Sequence, residues 1–177
     1  MKYLLLMSLF ALAGCSSHQA LLFEQSDAHA LQSASEFHVK PVKIDVSVDP
    51  RWEIEKSDWD QKLREWSSAY MEELVKSKGR RCYELAPGTA SSSGAIIELQ
   101  VLDLEIGHHS LFSYAPAKLF GMLTITDAKS GRLIYRAKAK GETTGAGYEA
   151  YTTGGRVKFA LLDVARAVLT EVGNEKP

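Results

Sequence analysis

Apolar and polar residues alternate from Val42 to Val48 and again over much of the second half of the chain, while in two other stretches apolar residues recur every three or four positions. The first period predicts strands and the second helices. Val42, Ile44, Val46 and Val48 describe a half-buried strand that Asp49-Pro50 ends. Ser57 then opens a helix, with Asp60 three residues on as a weaker capping box. Trp59, Leu63, Trp66, Tyr70 and Leu74 line one face of it, and Lys76, Lys78 and Gly79 suit its carboxyl end. A short strand follows around Cys82 to Leu85, then a loop of small residues from Pro87 to Gly94.

Residues 95–106, AIIELQVLDLEI, read as one long strand whose apolar phase changes sides. Ile97, Leu99 and Val101 share one face, whereas Leu102, Leu104 and Ile106 have the other parity, which predicts a bulge between Val101 and Leu102. Residues 119–126 form the next strand, Asp127 to Gly131 a hairpin loop, and RLIYRAKAK returns with Leu133, Tyr135, Ala137 and Ala139 on one side. Arg136, Lys138 and Lys140 keep its other side wet. A glycine-rich connection, 143–155, leads to a helix from about Arg156 to Val172, with Val157, Leu161, Val164, Val168 and Val172 as its stripe, widened by Ala160 and Ala167. This order predicts an α+β domain: a mostly antiparallel sheet of about four to five strands with two helices packed on one face. Either direction of the first strand fits.

The amino terminus differs in kind. After Met1-Lys2, the run Tyr3 to Ala13 is apolar except for Ser8. It is shorter than the roughly 20 residues that span a bilayer and fits the apolar core of a secretory signal. Leu12-Ala13-Gly14-Cys15 then resembles the lipobox of bacterial lipoproteins. That resemblance implies cleavage between Gly14 and Cys15, a diacylglyceryl group on the Cys15 sulfur, an acyl group on its new amino terminus, and no other cofactor. At about 0.8 kcal/mol per buried methylene, several acyl chains make a stable membrane anchor. Ser16 resembles the default sorting signal of enteric-type Gram-negative lipoproteins, which implies the periplasmic side of the outer membrane. The chain is thereby divided into a signal peptide (1–14), a lipidated tether (15–38) and a single globular domain (39–177).

Composition narrows the function. The net charge is −1 and no basic tract exists, so nucleic-acid binding lacks electrostatic support. With Cys15 acylated, Cys82 has no cysteine within the chain to pair with; it is either a buried small hydrophobe or a link to another chain. His108-His109 lie close behind Asp103 and Glu105, but adjacent strand residues point apart, so a metal site is not expected. The glycines of GETTGAGYEAYTTGG lack the spacing of a phosphate-binding loop, and Ser91 to Ser93 lack a nucleophile elbow, so catalytic residues are not expected either.

One stretch stands out. HHSLFSYAPAKLF, 108–120, carries Leu111, Phe112 and Tyr114 with hardly any charge. Such a cluster marks contact with a partner or membrane, unless the loop folds back over the sheet edge. Tyr148 and Tyr151 on the glycine-rich connection form a second candidate contact. The Asp127-Ala-Lys-Ser-Gly131 hairpin is similar to the strand–D-x-x-[ST]-G–strand hairpin of small envelope lipoproteins. Some lipoproteins of similar build act in assemblies, such as the curli-secretion lipoprotein and the lipoprotein activator of a penicillin-binding protein. The resemblance implies a non-enzymatic accessory or assembly factor with an envelope protein partner. A carrier or sensor of a lipid or small apolar ligand, held between sheet and helices, is the alternative; an envelope hydrolase is the third reading.

Overall fold

The spine of the molecule is the long strand β5 (Ala95–Glu105). The computed structural model describes residues 20–47, 55–76, 81–86, 88–89, 91, 93–110, 113–143 and 151–173. Antiparallel to β5 lies β8 (Lys118–Asp127), then β9 (Leu133–Glu142), then β1 (Leu21–Ser26). Along the other edge of β5 run two parallel partners end to end, β2 (Glu36–Val39) against Ala95–Ile97 and β3 (Lys43–Ile44) against Gln100–Val101. A further strand, β4 (Arg81–Glu84), is parallel to β2. Parallel neighbours need a crossover connection, and the path from β2 to β4 makes one through β3 and α2 (Lys56–Val75). Helix α1 (Ala28–Ser33) joins β1 to β2, and α3 (Thr153–Gly173) follows β9. A two-stranded ribbon, β6 (His108–His109) with β7 (Tyr114–Ala115), interrupts the path from β5 to β8.

The α+β class holds, with α2 and α3 packed against each other, α3 over β9 and β8, and α2 over β4. The sheet is larger than expected: seven strands in the order β1-β9-β8-β5-β2-β4, with β3 beside β5, and mixed in direction. The extra strands come from 15–38, where a tether was expected. From Leu21 onward that segment is sheet and helix, with Leu21 and Leu31 buried and Phe37 wholly so. The strand expected over Val42–Val48 pairs only at Lys43–Ile44. Ile44 sits opposite Val101, where the β5 bulge begins and the ladder ends. Helix α2 starts at Lys56, so Ser57 is inside its first turn, bonded to Asp58 at 3.3 Å, and no side chain caps the end. Helix α3 begins at Thr153, so Gly154 and Gly155 belong to it and not to the connection.

The bulge lies where the parity change put it. Val101 pairs with Gly121 and Asp103 with Phe120, leaving Leu102 as the extra residue, 52% exposed. That one insertion lets Ile97, Leu99, Val101, Leu104 and Ile106 all reach the core. Beyond β8 the hairpin closes as expected: Ser130 N–H donates to the Asp127 carboxylate at 2.6 Å, and Gly131 turns the chain at φ +70°. The Ser130 hydrogen bonds hold the Asp127 carboxyl below the usual carboxylate range.

Between sheet and helices the space is filled by Trp66, Tyr70 and Leu74 of α2, Leu161 of α3, and Phe37, Ile97, Leu99, Leu123 and Ile125 of the sheet. Trp59 meets Trp66 edge-on, with centroids 5.6 Å apart. Cys82 is buried in the same cluster. Among the described residues the Tyr70 hydroxyl has no hydrogen-bond partner, and burial pushes its phenol far above the ordinary range. An unpartnered buried hydroxyl carries its desolvation cost uncompensated. Tyr70→Phe is therefore expected to raise stability by about 1 kcal/mol, read as a higher urea midpoint at unchanged slope. A lowered midpoint would mean that the hydroxyl is bonded in solution.

Candidate functional site

Where β5 leaves the sheet, Ile106 is still buried, and Gly107 turns the chain at φ +65°. A Cβ at Gly107 would stand 2.2 Å from the Ala115 carbonyl oxygen, so the ribbon closes this tightly only on a glycine. His108 then faces Ala115 and His109 faces Tyr114 across the ribbon. Ser110 N–H donates to the Ser113 carbonyl at 2.8 Å, and His108 Nε2 contacts the Ser113 hydroxyl. Ala117, fully buried, returns the chain to β8.

Three rings meet at this end. The His109 imidazole lies 4.5 Å from the Tyr151 ring and 6.3 Å from the Tyr114 ring, centroid to centroid. Tyr114 is 48% exposed and Tyr151 52%. Of the contact residues expected from the sequence, the structure thus brings together Tyr114 and Tyr151, through His109. Leu111, Phe112 and Tyr148 lie outside the described residues, as do Gly14 and Cys15.

Below the rings sits Arg156, only 3% exposed. Its Nε donates to the Ile106 carbonyl at 2.9 Å and its Nη1 to the Tyr151 carbonyl at 3.0 Å. Nη2 donates to Thr153 Oγ1 at 3.2 Å and lies 3.5 Å from the Gly107 carbonyl. One guanidinium thereby joins the end of β5 to the start of α3. Burial pulls its pKa down from the usual value, and Tyr114 pulls it back. Thr143 reinforces the joint, donating to the Arg156 carbonyl at 2.8 Å and accepting from Ala117 N–H at 3.0 Å.

Ser93 contacts the Glu36 carboxylate, and Glu36 lies 3.6 Å from His38 Nε2. The carboxylate stands between hydroxyl and imidazole, which is the wrong order for activating a nucleophile. Asp103 accepts from the Leu104 N–H at 2.9 Å. Among the described residues no three His, Cys, Asp or Glu side chains gather as a metal-ligand set, and no helix is long and apolar enough to cross a membrane. An open groove of about 880 Å³ runs between α2 and α3, lined by Lys62, Arg64 and Lys158 and by Glu65 and Glu72, with Lys62 already paired to Glu65 on its own helix.

The outer face of the sheet carries what the sequence pattern did not reveal. The bulge extrudes Leu102 beside the exposed Phe120, and Leu22 is exposed on β1. Nearby, Glu98 pairs with Lys40 at 3.0 Å and with Lys43, and the Lys43 hydrogen bond holds its carboxyl below the usual range.

No family model and no curated protein sequence matches the chain. Its fold does match solved structures. The PelC dodecamer from Paraburkholderia phytofirmans is similar over 88% of this chain and 98% of that one, at 10% identity and a TM-score of 0.53. A hypothetical protein from Chlamydia trachomatis matches over 79% of this chain and 98% of that one, at 10% identity and a TM-score of 0.47. The lipoprotein GNA1162 from Neisseria meningitidis matches over 64% and 88%, at 11% identity and a TM-score of 0.38. The likeness to PelC is one of fold.

Proposed function

We propose that the protein is a lipoprotein of the Gram-negative envelope, held by acylated Cys15 on the periplasmic side of the outer membrane. It works without enzymatic chemistry, as an accessory or assembly factor that binds a protein partner. The observation that carries this reading is Leu12-Ala13-Gly14-Cys15 placed directly before a folded domain. The packed interior speaks against a lipid carrier, since Trp66, Tyr70 and Leu161 occupy the space between sheet and helices. That a dodecamer is built on the PelC fold supports a role in an assembly. For the partner, the outer sheet face offers the apolar pair Leu102 and Phe120 with Lys138 and Lys140 alongside, the mixture found at protein contacts.

Two measurements test this reading. Cys15→Ala is expected to abolish acyl labelling and release the protein from the membrane fraction; undiminished labelling would refute the anchor. A photo-crosslinker in place of Phe120 in living cells is expected to yield a discrete protein adduct. Its absence there would refute partner binding by the outer face and leave the anchor standing.

A further inference from the structure

Resting on that anchor, we infer that the aromatic end formed by Tyr114, Tyr151 and His109 is seated in the interfacial layer of the membrane that holds Cys15. The argument begins with strand direction. β1 runs antiparallel to β9, with Leu21 opposite Ala139 and the Ala20 carbonyl accepting from Lys140 N–H at 2.8 Å. Followed backward from Leu21, the chain therefore heads toward Glu142. Glu142 pairs with Lys118, and Lys118 with Glu105. Just past these residues lie Gly107, the β6–β7 ribbon and the first turn of α3. The path to Cys15 leaves the sheet at the end that carries the three rings.

The path is also short. Cys15 and Ala20 are five positions apart, and that much chain reaches about 17 Å at full extension. An acylated Cys15 thus keeps this end of the domain turned toward the bilayer. The opposite end, with the Asp127–Gly131 hairpin and Gly94, faces away.

What stands at the near end suits an interface. A tyrosine has an apolar ring and a polar tip, and such residues concentrate where acyl chains meet headgroups. Tyr114 and Tyr151 each leave about half their surface uncovered, on a base that Arg156 fastens to the sheet. Charge is not the attraction. Lys118, Lys140 and Arg156 at this end are offset by Asp103, Glu105, Glu142 and Asp163, so seating through the rings resists added salt.

The test uses full-length lipidated protein purified from bacterial membranes and placed on vesicles of phosphatidylethanolamine and phosphatidylglycerol. Nitroxide labels are attached at Tyr114→Cys, Tyr151→Cys and, at the far end, Ser130→Cys; buried Cys82 escapes labelling. On vesicle binding, collisions of the labels at 114 and 151 with a water-soluble nickel chelate should fall several-fold and those with oxygen should rise, while the label at 130 stays unchanged. If the protein floats with the vesicles but 114 and 151 stay as wet as 130, the inference fails and the anchor stands. If the protein does not float, the anchor fails and the inference with it. A discrete protein adduct, in place of lipid, from a photo-crosslinker at Tyr151 in cells would also overturn it.

Discussion

Gly141→Ala is expected to lower stability by about 3 kcal/mol, the upper end of what overpacking costs. Gly141 lies on β9 beneath α3, and a Cβ there would stand 2.1 Å from the Ala160 carbonyl oxygen and 2.9 Å from its carbon. Both obstacles are helix backbone, which cannot rotate aside as a side chain does. Relief comes only if α3 lifts off the sheet. Val157, Leu161, Val164 and Val168, all but fully buried, would then lose contact with the sheet together, and lost core contact adds its own penalty. For a domain of this size the thermal midpoint should fall by roughly 10 °C. Gly173→Ala is the control. Nothing lies within 4 Å of a Cβ there, at the far end of the same helix, so a change below about 0.5 kcal/mol is expected. Equal midpoints for native protein and Gly141→Ala, by calorimetry, would show that helix and sheet do not approach this closely in solution.

The elements legible in the sequence were those whose period is imposed by a buried face. The stripe from Trp59 to Leu74 and that from Val157 to Val172 mark helices lying on a core, and both helices form. The parity change at Val101 is legible for the same reason: residues on both sides of it are buried, so the shift has to appear as a bulge. β1 is different. As an edge strand it buries only Leu21, and LLFEQS has no period to betray it. β2 is four residues long, too short for alternation to be counted. The short Asp127–Gly131 loop made the antiparallel return of β9 legible, but the direction of the strand at Lys43–Ile44 was not, because a period of two is the same in parallel and antiparallel pairs. At the candidate site, Tyr114 and Tyr151 announced themselves as aromatic residues among small ones. Their meeting through His109 could not be foreseen, since 42 positions separate His109 from Tyr151. Arg156 was hidden too. It was placed at the start of a helix, where an arginine is ordinarily solvated, and nothing in its neighbours' identities says that it is buried.

Arg156→Met is expected to cost about 3 kcal/mol, although methionine fills much of the same volume. The guanidinium donates to the carbonyls of Ile106 and Tyr151 and to Thr153 Oγ1, with the Gly107 carbonyl 3.5 Å away. Methionine donates to none of them. A buried acceptor left without a partner costs about 1–3 kcal/mol; the ones nearest the exposed tyrosines regain water, so the sum stays near the upper value for one group. The loss should be local before it is global. Hydrogen exchange of the Ala117 amide, bonded to Thr143 Oγ1, and of the Gly155 amide, bonded to Thr152 Oγ1, should quicken about tenfold or more. Exchange at Ala128 and Gly131, at the far end of the sheet, should hold. Arg156→Lys keeps the charge but loses the planar fork that serves several carbonyls at once, so it should recover less than half of the stability. Because an arginine stays protonated throughout, the deficit of the methionine variant should be flat from pH 5 to 9. If urea titration gives the methionine variant native stability, the ribbon is held by its own backbone, and Arg156 is not the joint between β5 and α3. If the deficit appears but the nitroxide at position 114 keeps its native line shape, the arginine stabilises the fold without positioning the aromatic end.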